Sequence, residues 1–120
     1  MRFAILGLCA AIALSGCMQV TSENVSANPT RVAIAKSAVQ GLMKDPESTR
    51  FGDGYQAYQL SNGDDVICGS LNAKNSYGGY VGYNAFYVRF RGEQVMFVAT
   101  SDRGEIACNN AMSGSFNVRS

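Results

Sequence analysis

Residues 66–90 read VICGSLNAKNSYGGYVGYNAFYVRF, the longest segment of the chain with one self-consistent strand pattern. Two adjacent glycines, Gly78 and Gly79, supply the positive φ angles that a two-residue hairpin turn demands, so the segment is expected to fold back on itself there. A turn at that point sets Tyr77 opposite Tyr80, Leu71 opposite Phe86, Gly69 opposite Val88 and Ile67 opposite Phe90, all on one face. The other face then carries Ser70, Asn72, Lys74, Tyr83, Tyr87 and Arg89. The hairpin is expected to be buried at its open end and wet at its tip, where Asn75 and Asn84 stand.

The neighbouring segments supply partners for that hairpin. Asn28-Pro29 opens a helix, with Asn as the cap and Pro in the first turn, where its missing N–H costs nothing. Val32, Ala35, Val39, Leu42 and Met43 recur at spacings of three and four, writing one apolar stripe. Asp45-Pro46 ends it, because the residue before a proline is pushed out of the α region. Pro46 to Gly52 reads as a turn that returns Phe51 to the core. Tyr55 to Leu60 reads as a first strand, closed by Ser61-Asn62-Gly63-Asp64, an Asn-Gly hairpin signal. Arg91-Gly92-Glu93 makes another tight turn before Val95 to Thr100, which is apolar on both faces. The tail from Glu105 to Ser120 shows no regular pattern. These elements predict an α+β fold: one N-terminal helix packed on an antiparallel meander of about four strands, forming a single domain over residues 29–120.

The first residues carry a different signal. One positive charge at Arg2 precedes an apolar run from Phe3 to Leu14; twelve helical residues reach only about 18 Å, short of the roughly 30 Å hydrocarbon core, so residues 1–16 read as a signal peptide. Leu14-Ser15-Gly16-Cys17 closes the run and resembles the lipobox of bacterial lipoproteins. That resemblance implies cleavage before Cys17, a diacylglyceryl thioether on its sulfur and an acylated amino group, enough acyl chain for stable membrane attachment. Met18, standing where an aspartate would favour retention at the inner membrane, points to the outer membrane, with the domain facing the periplasm. Residues 17–28 are then the lipidated cysteine and a polar, flexible tether. Of the four cysteines, Cys9 leaves with the leader and Cys17 is acylated; Cys68 and Cys108 remain and, in an oxidising envelope, are expected to pair. Since Cys68 has the opposite parity to Ile67 and Leu71, the bridge should draw the tail across the sheet face turned away from the helix.

Several chemistries lose their footing. The chain has no histidine, which removes Ser-His and Cys-His nucleophile pairs and imidazole metal ligands. Ten basic residues less Arg2 leave nine against nine acidic ones, with no basic stripe, so nucleic-acid binding has no electrostatic basis. Asp53, Asp64 and Asp65 lack the loop spacing of a calcium site and are accounted for by turn chemistry. Ser70 and Lys74 share a strand face at about 13 Å, too far for a dyad. Residues 78–83 are glycine-rich but lead into a strand rather than a helix, unlike a phosphate cradle. No cofactor or metal and no enzymatic activity are expected. Tyrosines 77, 80, 83 and 87 have two readings, amphipathic cover for a small sheet or an interface; on the second, Tyr77, Tyr80, Tyr83, Asn75 and Asn84 form a binding surface.

Lys44-Asp45-Pro46-Glu47-Ser48-Thr49-Arg50-Phe51, followed by Cys68-Gly69, Asn72-Ala73-Lys74-Asn75 and Gly78-Gly79-Tyr80-Val81-Gly82, is similar to a group of small secreted or lipid-anchored proteobacterial proteins of uncharacterised biochemical role. The similarity spans roughly residues 30 to 90. It implies an envelope protein built from one helix and a small sheet, and brings no activity or site residue. The function expected from the sequence is a lipid-anchored binding or structural module with an envelope protein as partner, the alternative being a periplasmic inhibitor of an envelope-directed enzyme such as lysozyme.

Overall fold

The computed structural model describes residues 18–118. The leader over residues 1–16 and the acylation expected at Cys17 lie outside the described residues. Strand β1 (Met18–Val25) leads to helix α1 (Pro29–Gln40), a 3-10 turn (Pro46–Ser48) and the short β2 (Arg50–Phe51). Four strands follow in succession, β3 (Gln56–Leu60), β4 (Asp65–Asn72), β5 (Asn84–Arg91) and β6 (Gln94–Thr100), then helix α2 (Ser101–Ser113) and β7 (Ser115–Val118). The sheet is antiparallel in the order β6-β5-β4-β3-β1-β7, with β2 paired to the far end of β4. The class is therefore α+β with one disulfide. The helix is not the first element, however, and the strands exceed four.

The added strands come from segments whose composition hid them. Residues 18–28 read from their polar composition as a tether; instead residues 18–25 form β1, which pairs on both sides, with β3 (Ser22 opposite Leu60, Val25 opposite Ala57) and with β7 (Met18 opposite Val118, Thr21 opposite Ser115). Two valines suffice to seat it. Val20 is buried, and Val25 packs beside α1. A strand so paired draws its stability from ladder bonds and neighbours rather than from its own apolar content.

The tail after Thr100 is likewise a helix rather than irregular chain. Gly104, Ala107, Cys108 and Ala111 lie three and four apart, a stripe of small residues too weakly apolar to register as a periodic signal. Their smallness is what the packing needs. A Cβ on Gly104 would sit 2.6 Å from the carbonyl oxygen of Ala85 and 3.0 Å from that of Ala99, so the helix lies directly on the backbone of β5 and β6. Cys108 joins Cys68 in a disulfide with the Cα atoms 6.1 Å apart, fixing α2 to the sheet face opposite α1.

Two cores result. On one face Ala35 and Val39 of α1 pack against Ile67, Leu71, Phe86, Val88 and Phe90. On the other, Tyr58, Leu60, Val66, Cys68, Tyr87 and Ala99 lie beneath Ala111 of α2. The apolar run of β6 follows from this double cover: Val95 and Val98 join the first core and Ala99 the second. Each strand between them reads apolar on both parities because both faces are covered.

The central hairpin keeps the expected faces but not the expected register. Leu71 stands opposite Asn84, Gly69 opposite Phe86 and Ile67 opposite Val88, a slip of two residues. Because side chains alternate with a period of two, that slip leaves every residue on its own face. Gly69 is opposite the residue that requires it, since a Cβ there would meet the Phe86 ring at 2.6 Å.

Helix α1 starts as the sequence indicates: the Asn28 side chain accepts from the backbone N–H of Thr30 at 2.9 Å and of Arg31 at 3.4 Å. It stops four residues sooner than Asp45-Pro46 would require. Gly41 caps it, and the N–H groups of Leu42 and Met43 turn to the carbonyls of Val39 and Gln40 in tighter 3-10 geometry. At the other end of the sheet, Asp64 is 1% exposed, with Arg91 Nε at 3.0 Å and Arg89 Nε at 3.6 Å. Asp65 holds Arg31 at 3.2 Å, tying the start of α1 to this lower rim. No helix among the described residues is long and apolar enough to cross a membrane.

Candidate functional site

The upper end of the sheet, where β4 turns into β5, gathers the sequence-predicted residues. The turn is not a two-residue one. Only Gly78 of the glycine pair takes a positive φ, at 80°. Asn75 closes the loop: its side-chain oxygen accepts from the N–H of Tyr77 at 2.9 Å and of Gly79 at 3.1 Å, while its own N–H donates to the carbonyl of Gly79. Below this, a single bridge joins Lys74 and Tyr80. Gly82, at φ 101°, lets the return arm bulge, its N–H donating to the Asn72 side chain at 3.1 Å. These two asparagine-held kinks take up the residues that a tight hairpin would have paired, which produces the register slip.

The five predicted surface residues do not act alike. Tyr77 is 96% exposed and Tyr83 is also largely in solvent. Tyr80 is pinned instead: its hydroxyl donates to the carbonyl of Ser48 at 2.8 Å, with Arg50 4.5 Å and Lys74 5.8 Å from the ring centroid. Ser48 completes the clamp by accepting from the Lys74 N–H at 2.9 Å. Asn75 is consumed by the turn, and Asn84 donates from its side chain to the Gly82 carbonyl at 3.3 Å. The fourth tyrosine of the sequence, Tyr87, lies in the second core, where burial pushes its phenol above the ordinary value while nearby Arg89 pulls the other way.

Sequence reasoning missed the cleft beside this loop. The early stop of α1 leaves Leu42 and Met43 on an irregular turn facing the return arm, and a cleft of about 340 Å³ opens between them. Leu71 and Ala73 come from β4 and its extension, Val81 from the return arm, and Lys44 and Lys74 contribute the charges. The available signal was Gly41, which sets the two apolar residues after it free of the helix stripe.

A second cleft, about 390 Å³, lies beside the disulfide, bordered by Asp53, Tyr55, Gln56 and Ser70. The three aspartates considered in the sequence are dispersed: Asp64 and Asp65 are engaged by arginines at the lower rim and Asp53 borders this second cleft. Among the described residues no three metal-ligating side chains come together. No family model, curated protein or solved structure matches the chain.

Proposed function

We propose that the protein is a lipid-anchored module of the bacterial envelope that binds a partner with its upper loop. The lipobox-like Leu14-Ser15-Gly16-Cys17 supports the anchor. The observation that carries the reading is the direction of β1. It begins at Met18, one residue after Cys17, and climbs to Val25. Val25 is level with Ala57 and hence with Ile67 on β4, which climbs five residues further to Asn72. At about 3.3 Å per residue, those twelve steps put the upper loop up to roughly 40 Å from the anchored end. On this reading there is no slack tether; the sheet itself is the spacer, and Tyr77 and Tyr83 are presented away from the bilayer. Aromatic rings standing in water on a braced loop are the residue type that interfaces use as anchors.

Two measurements test this. Intact mass of the membrane-extracted protein should carry the diacylglyceryl and acyl groups on Cys17, and Cys17→Ser should be released to the soluble fraction. Crosslinked partners recovered from envelope by the wild type should be lost with Tyr77→Ala/Tyr83→Ala. An unacylated chain or undiminished recovery rejects the anchor or the loop respectively.

A further inference from the structure

The cleft beside the upper loop has a chemical character of its own. Leu42 and Val81 leave 62% and 64% of their surface exposed, although each borders a concavity floored by Leu71 and Ala73. Apolar side chains gathered around a hollow favour an apolar guest, because the guest removes their surface and its own from water. At about 340 Å³ the cleft falls at the small end of the range for organic ligands.

The charges at its border are of one sign. Lys44 and Lys74 line it, and none of its described lining residues is acidic. Among the described residues neither lysine takes part in a salt bridge. Asp45 and Glu47 follow Lys44 in sequence but are not among the lining residues. Thr100 and Ser101, which carry hydroxyls, also border it. A small hydrated anion such as phosphate would leave the apolar walls facing water. A neutral apolar guest would leave both ammonium groups without a counter-charge.

We propose that this cleft binds a small amphipathic organic anion, an apolar body bearing one carboxylate, with the body against Leu42, Met43 and Val81 and the carboxylate toward Lys44 and Lys74. This deepens the binding reading above and rests on the same upper end of the sheet.

The test uses the full chain in phospholipid nanodiscs and fluorine NMR of 4-fluorophenylacetate, with neutral 4-fluorophenylacetamide as its partner probe and empty nanodiscs as the blank. The acid should broaden in the presence of protein well beyond the blank and more than the amide. Lys44→Gln/Lys74→Gln should weaken the acid about tenfold and abolish its preference over the amide. Val81→Asp should weaken both probes. These three positions lie outside the buried core, so circular dichroism should match the wild type. Absence of broadening above the blank, or equal affinity of the wild type and the double-lysine variant for the acid, overturns the proposal. A chain that is acylated and loses its partner with Tyr77→Ala/Tyr83→Ala, yet ignores the probe, refutes the cleft alone and leaves the envelope reading standing.

Discussion

Replacing Gly104 by alanine and, separately, Gly41 by alanine should move stability in opposite directions. Gly104 lies within α2 and Gly41 caps α1 in helical backbone geometry, and in such conformations the exchange gains up to about 1 kcal/mol from reduced backbone freedom in the unfolded chain. At Gly41, with φ −63°, the new methyl would find its nearest neighbour, the Ser37 carbonyl oxygen, at 3.5 Å, which is ordinary contact. The gain should therefore appear nearly whole, at about 0.5–1 kcal/mol. At Gly104 the methyl would stand 2.6 Å from the Ala85 carbonyl oxygen and 3.0 Å from that of Ala99. Both obstacles are backbone atoms of the sheet and cannot swing aside. To restore ordinary contact α2 must retreat by on the order of 0.8 Å, opening the second core along its length, and overpacking of this kind costs about 1–3 kcal/mol. Set against the helix gain of about 0.5–1 kcal/mol, the net loss is up to about 2 kcal/mol. The Cys68–Cys108 bridge, one turn further on, resists that retreat. In a Cys68→Ala/Cys108→Ala background the penalty should accordingly shrink by about 0.5 kcal/mol or more. Urea unfolding followed by circular dichroism, with a common slope, reads the unfolding free energies of the wild type, the two glycine variants, the double-alanine background and Gly104→Ala within it. If Gly104→Ala gained stability as Gly41→Ala does, α2 would not rest on β5 and β6.

Opening the disulfide should be costlier than either glycine change. With the cysteines 40 positions apart in sequence, loop entropy assigns the bridge about 4 kcal/mol. For a domain of this size that corresponds to a fall in melting temperature of roughly 15–30 °C, and equal midpoints for the oxidised chain and the double alanine variant would refute it. Stability should also decline in alkali through Tyr87. Its folded phenol titrates above the usual value of 10.0, mainly because burial disfavours the phenolate. Below pH 10 the native and unfolded chains both hold the proton and nothing is lost; above it the unfolded chain releases the proton first. Unfolding free energy should fall by up to about 1.4 kcal/mol per pH unit until the folded value is reached. Tyr87→Phe should flatten that decline, and an unchanged slope between pH 10 and 11.5 would count against the buried placement of the hydroxyl.

The parts of the fold that the sequence exposed are those where a residue's local chemistry and its tertiary role coincide. Asn28-Pro29 caps α1 through its own side chain and the adjoining backbone, and the parity of Ile67, Leu71, Phe86 and Val88 survives a register slip of two because alternation has that period. Cys68 against Cys108 was legible from parity as well as number, since Cys68 faces away from Ile67. What stayed hidden is stabilised chiefly by neighbours. Strand β1 holds two core valines among polar residues and exists through ladders on both sides, while α2 hides its contact stripe in glycine and alanine. At the upper loop, composition identified Tyr77 and Tyr83 as displayed but could not separate them from Tyr80, whose hydroxyl is taken up by a carbonyl 32 residues earlier in sequence. The cleft was illegible for a related reason: Leu42 and Val81 become neighbours only after α1 ends early and Gly82 bends the return arm.

The placement of β1 between β3 and β7 has a mechanical meaning. A pull applied at Met18 and opposed at the upper loop acts lengthwise on β1, so its hydrogen bonds to both flanking strands are strained together and must slide in concert. The same pull opposed at Val118, which lies directly across from Met18, would peel β1 from β7 one pair at a time. A body held by its first strand and gripped at its crown is thus loaded along its tougher axis, and tension between those two points is borne by the whole sheet rather than by one end of it.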